Sequence, residues 1–207
     1  MASTITPTWT DNVSILAIGT VARNTVSRTV IDLRTKWGAM VFVRIGRGGT
    51  TALTAGVGVR FRRLINAAAI EHVGGAIGAF VDQIAAAVNP TCAAAGNNAG
   101  TTNLVVSATT SIVAGDIIFI DGTGGTGNSE WCMVAQNIDA THLLLDAPTQ
   151  YAHNNVADHV RQKSDLYTVW LEGGAEYEML IDYGASTTGE AIAAEALAQT
   201  FDSIAAT

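Results

Sequence analysis

Gly122, Gly124 and Gly127, within FIDGTGGTGNSEW, match the G-x-G-x-x-G spacing that lets a backbone close around a pyrophosphate. That chemistry needs a helix N-terminus directly after the loop, where free N–H groups and the helix dipole hold the anion. The residues that follow, SEWCMVAQ, alternate and are rich in strand formers, so the sequence predicts a flexible hairpin loop and no nucleotide site. Cys92 and Cys132 lack the C-x-x-C or Cys/His spacing of a zinc site, and Cys132, between Trp131 and Met133, reads as a buried strand thiol. The histidines are His72, His142, His153 and His159. His153, Asp158 and His159 lie close in sequence, but YAHNNVADHVRQ has the composition of a loop and not the fixed ligand spacing of a helix or strand. They read as solvated loop side chains. There is no G-x-S-x-G elbow, and the carboxylates form no recognisable pair for glycoside hydrolysis. The expectation is a protein with no catalytic residues, no cofactor and no metal.

The elements that carry these residues read as strands. Charged residues make up 14% of the 207, and the paired Glu and Lys of exposed helices are scarce. Met40, Phe42 and Arg44 alternate with Val41, Val43 and Ile45; Val57, Val59 and Phe61 alternate with Gly58, Arg60 and Arg62. Tyr177, Met179, Ile181 and Tyr183 do the same with Glu178, Leu180 and Asp182. Such period-two runs predict strands over 13–21, 26–33, 40–45 and 57–64, and again over 166–171 and 177–183. A second group of short strands, over 104–107, 117–120, 131–136 and 142–146, suggests a small barrel-like unit. Residues 66–100 read as irregular, with a strand near 79–85, because Gly74, Gly75 and Gly78 weaken any helix there. The segment 190–201, EAIAAEALAQTF, has helical propensity but follows two strands; we read it as an edge strand that completes a sandwich.

The expected fold is all-β: a jelly-roll-like antiparallel β-sandwich with a small inserted β-barrel-like module. Residues 1–11 form an N-terminal arm, 12–89 and 160–207 the sandwich, and 90–159 the insert. The insert's own core would be Leu104, Val106, Ile118, Ile120, Trp131, Met133, Leu143 and Leu145.

Charge narrows the partners. A net charge of −7 argues against a dedicated nucleic-acid binder, and the longest apolar runs fall short of the roughly 18 residues of a membrane helix. The first eleven residues lack the charged and apolar regions of a secretory signal, so the Asn12-Val13-Ser14 sequon carries little weight. Two cysteines make no disulfide framework. Up to Arg63 there are nine basic and two acidic residues; from Leu64 onward, two basic and sixteen acidic. Two readings follow. Basic and acidic strands neutralise each other within one sandwich, or Arg44, Arg47, Arg60, Arg62 and Arg63 form an interface with another copy or another protein.

The stretches VIDLRTKWGAMVFVRIGRGGTTALTAGVGVRFRR and YTVWLEGGAEYEMLIDYGASTTGEAIAAEALAQTFDSI resemble two halves of a β-sandwich found in structural proteins of tailed bacteriophages. The middle, with its Thr-rich strand, VAGDIIFI, a glycine loop and LLLDAP…YAH, resembles a small β module of phage virion proteins. The resemblance is greatest to capsid cement or decoration proteins and extends over most of the chain from about residue 13, apart from 66–100. It implies a virion protein on the outer capsid surface, assembled in the host cytoplasm and often trimeric, with the major capsid protein and its own copies as partners. It transfers no catalytic residue. A tail, neck or baseplate component is the nearest alternative. A carbohydrate-binding adhesion module is another, which would need Trp9, Trp37, Trp131 or Trp170 to converge on an exposed platform. A polysaccharide-degrading virion part comes third, without a carboxylate pair to support it.

Overall fold

The computed structural model describes residues 5–10, 12–22, 25–48, 57–65, 68–72, 77–80, 90–183 and 191–206. Among them there are fourteen strands and no helix, as the period-two patterning requires. The described residues form an antiparallel β-sandwich of a nine-stranded and a five-stranded sheet.

The large sheet is built around β4 (Gly38–Arg47) and β14 (Ala191–Ala206), paired from Ile192 opposite Arg47 to Phe201 opposite Gly38. Along its other side β14 pairs first with β2 (Val13–Ala22) and then with β1 (Ile5–Trp9). β12 (His159–Glu172) flanks β4 and continues into β9 (Ile117–Asp121), β10 (Glu130–Asn137), β11 (His142–Leu145) and β8 (Asn103–Val105). The small sheet runs β3 (Thr25–Asp32), β13 (Glu176–Tyr183), β5 (Val57–Ile65), β6 (Ala68–His72), with β7 (Ile77–Phe80) also on β5.

The alternation places one residue class inside. Val41, Val43 and Ile45 of β4 meet Val57, Val59 and Phe61 of β5 and Met179 and Ile181 of β13 in one buried cluster. Small Ala194, Ala196 and Ala198 of β14 complete it. A second cluster holds Cys92, Leu104, Val106, Ile112, Ile118, Ile120, Cys132, Val134, Leu143, Leu145 and Val160. The second cluster fills a closed ring of strands. β8 is joined through the Val106–Cys92 bridge, and Thr91 in turn bridges His159 at the start of β12. β12 therefore belongs to both units: its first residues close the ring and the remainder pairs with β4.

Several expectations need correction. Residues 5–9, assigned to an arm, form β1. β14 is internal, with β4 on one side and β2 and β1 on the other, and its small inward alanines let it lie over the core. β6 and β7 lie in the stretch read as irregular; of the strand placed near 79–85, residues 79–80 fall in β7 and 81–89 lie outside the described residues. Trp131 and Met133 leave the insert's core to Cys132 and Val134. Directly paired residues share a face, and Cys132 is opposite Ile118, whereas Trp131 is opposite Phe119 on the other side.

Candidate functional site

The outward face of the large sheet is set by the same parity. Met40, Phe42 and Arg44 of β4 point away from the core, flanked in register by Trp170, Thr168 and Leu166 of β12 and by Gln199, Leu197 and Glu195 of β14. At one end, Trp9 stacks on Phe201 with ring centroids 5.2 Å apart, meets Trp170 edge-on at 6.0 Å, and Phe201 lies 6.5 Å from Trp37. Trp9, Trp170 and Trp37 remain 40%, 44% and 59% exposed, so three of the four tryptophans share one surface corner. Gly38 makes room for it: a Cβ there would run into the Trp170 ring. Beside the corner, Lys36 Nζ lies 2.8 Å from Asp202, which also accepts a hydrogen bond from Thr200 Oγ1 at 2.6 Å. Further along the face, Arg44 and Glu195 are 3.5 Å apart, and burial pushes the Glu195 carboxyl above its usual range despite that guanidinium.

The polar centre of the molecule lies elsewhere. Glu130 is opposite Ile120, so parity turns it into the end of the insert's ring, where it is 8% exposed. His153, read as a solvated loop side chain, is instead fully buried beside it. Its Nε2 is 2.8 Å from Glu130 and its Nδ1 is 3.1 Å from Asp158, which is buried as well. Glu130 also accepts the N–H groups of Gln150 and Tyr151, and Asp158 accepts the backbone N–H and the hydroxyl of Thr126. Burial opposes ionisation of Glu130, but the His153 ring and the two backbone N–H groups outweigh it and hold its pKa below the ordinary value. Burial likewise opposes charge on His153, and the two carboxylates outweigh it, raising its pKa. Both ring nitrogens are committed to carboxylates, so the ring has none left to exchange a proton with a substrate.

The glycine loop is correspondingly not a loose hairpin. Thr126 ties it to Asp158, Gly125 N and Gly127 N close on the Gly122 carbonyl at 3.0 and 2.7 Å, and a Cβ at Gly125 would strike the Asp158 carboxylate. β10 follows it where a dinucleotide site would need a helix. His159 is half-buried, and burial and then Arg161 lower its pKa below the ordinary value. His142 binds Asp139, whose pKa falls to about 2 through the Thr141 N–H and then the ring. His72 lies on β6, its side chain outside the described residues. Cys92 and Cys132 are free thiols in the insert's core, both pushed up to about 12 by burial.

The five candidate interface arginines separate. Arg60 and Arg63 are exposed, and Arg44 lies on the outward face of the large sheet. Arg47 is a correction: it is wholly enclosed by this chain and presents no surface. Arg62 pairs with Glu178, which Arg28 also reaches at 3.2 Å. β13 lies in register between β3 and β5, so acidic and basic strands face each other inside one sheet. Arg34 with Asp32 and Glu176, Lys36 with Asp202, and Arg44 with Glu195 continue the pattern. Among the described residues, five of the nine early cations thus reach late carboxylates within the chain. What sequence reasoning missed was Glu130, whose inward parity follows only from the register of β10 on β9. Among the described residues no group of His, Cys, Asp and Glu has the arrangement of a metal site. Comparison with family models, with curated proteins and with solved structures finds no match to this chain.

Proposed function

We propose that this is a structural virion protein that binds and stabilises neighbouring capsid subunits, as the resemblance to cement and decoration proteins implies, and that it acts as a homotrimer. The observation that supports binding is the outward face of the large sheet. Leu166, Trp170, Trp9 and Trp37 are each at least 40% exposed there, around half-buried Phe42 and Leu197. Contiguous exposed apolar surface of this kind marks an interaction site. Of the candidate arginines, Arg44 and Arg62 pair with carboxylates and Arg47 is enclosed, so the apolar face becomes the main contact. The test is attachment to emptied capsids and mass in solution, for wild type against Leu166→Ser with Trp170→Ser. Both side chains are surface-exposed, so the fold survives while attachment weakens by about thirtyfold or more, the cost of losing a central anchor. A wild-type monomer that never binds the shell overturns the proposal.

The aromatic corner favours a second reading, a carbohydrate-binding adhesion module. Indole rings stack against the C–H faces of sugars, and the neighbouring Lys36 and Asp202 would orient hydroxyl groups. Saturable quenching of tryptophan fluorescence by host-surface polysaccharide, lost in Trp37→Ala, supports this reading; no quenching removes it.

A further inference from the structure

We propose that Glu130, His153 and Asp158 form a proton-operated latch: the doubly protonated imidazole holds the glycine loop and the 150–158 loop onto the end of the inserted ring, and alkaline loss of one ring proton releases both. Geometry carries the argument. Each ring nitrogen faces a carboxylate oxygen, and each carboxylate is otherwise surrounded by donors: Gln150 N and Tyr151 N at 2.8 and 3.2 Å on Glu130, Thr126 N and Thr126 Oγ1 at 2.8 and 2.7 Å on Asp158. Carboxylates so placed are acceptors, and only a ring with a proton on both nitrogens satisfies both of them.

The surrounding groups do not compensate for losing that proton. On the neighbouring strands, Arg161 is already paired with Asp121 at 3.1 Å. Burial and then Arg161 keep the His159 pKa below its ordinary value, and burial pushes the Cys92 and Cys132 thiols up to about 12. Across the seam, Arg44 is engaged with Glu195. With the imidazolium, the buried triad carries one net negative charge; without the ring proton it carries two, and a lone pair then faces a carboxylate in a dry site. The latch also borders on the seam between insert and sandwich. Glu130, Gln150 and Tyr151 line a cavity of about 160 Å³ together with Arg44 and Glu195, so its release changes the wall of that cleft.

The sign follows from the two directions. The raised His153 pKa means that its contribution is complete below the ordinary histidine value and is lost as pH rises through the raised one. The lowered Glu130 pKa adds an acid limb, complete above the ordinary glutamate value and lost as pH falls through the lowered one. The latch is therefore strongest in mildly acidic solution.

The test uses the full chain labelled with ¹⁵N. At about pH 6 both His153 ring nitrogens should carry protons. Amide exchange, corrected for its intrinsic pH dependence, should show Thr126, Gln150 and Tyr151 losing protection about tenfold per pH unit once the ring titrates, while Val41 and Val43 do not. His153→Gln should remove the pH step; if that variant fails to fold, the wild-type measurements decide alone. A singly protonated ring at about pH 6, or protection at those three amides that stays flat to about pH 9, overturns the proposal.

Discussion

Leu104→Ala tests whether the insert is an energetic unit of its own. Leu104 is 0% exposed and lies on the short strand β8, packed within the insert's cluster and outside the sandwich's. Truncation removes three carbons from a site closed on all sides, so the transfer and cavity costs add to about 3 kcal/mol. At about 1.4 kcal/mol per tenfold, the insert's opening equilibrium rises about 150-fold. Hydrogen exchange resolved by residue is the assay: amides of β9, β10 and β11 should lose about two orders of magnitude of protection, with β5 and β13 unchanged. Ile181→Ala, equally enclosed in the sandwich core, should do the reverse. The shared strand β12 makes this a real risk, because an opening that travels along it would couple the two cores. If either substitution lowers protection equally in both strand sets, there is one cooperative unit, and two separate cores do not make two units.

Glu178→Gln should cost about 1–2 kcal/mol in a urea titration at neutral pH, since Arg62 and Arg28 lose a shared, mostly covered carboxylate. Burial opposes ionisation of Glu178, but the two guanidinium groups outweigh it and hold its pKa below the ordinary value. Its contribution is therefore present above that ordinary value and lost as pH falls through the lowered one, and the variant should flatten this acid limb. Cys92 and Cys132, 1% and 8% exposed with pKa near 12, should resist a thiol reagent at about pH 8 until the chain is unfolded. Rapid reaction of either thiol in the native protein would contradict its burial.

The sandwich was legible because its strands obey one simple period. Val57 and Phe61 sit in a run where alternate residues are apolar and lie inside, and Met179 in one that comes close to it, whereas β4 is also apolar at Met40 and Phe42 on its outward face. β14 was legible as a strand but not as a central one: its alanines carry no signal of depth, and only the pairing with β4 shows it. On β10, apolar residues occur at both parities, so Trp131 and Met133 were as plausible inside as Cys132 and Val134 until β9 fixed the register. The Glu130–His153–Asp158 cluster was hidden for a different reason. It joins a strand end to a loop 23 residues away, and loop composition reports nothing about burial. The tryptophan corner likewise joins positions 9, 37 and 170, which only the sheet brings together.

β14 also decides when this chain can become a sheet. Ile5 pairs with Ala206, and β2 and β4 both hydrogen-bond along the same late strand. A nascent chain emerging from the ribosome therefore carries β1, β2 and one side of β4 without partners until β14 has been made. Among the described residues the insert's ring has its pairings between Pro90 and Ser164 and can close earlier. Contacts so distant in sequence make the final step slow, and until then apolar strand edges stand open to other nascent chains. The order of pairing therefore has the ring closing first and the large sheet assembling only once β14 is present to join β1, β2 and β4.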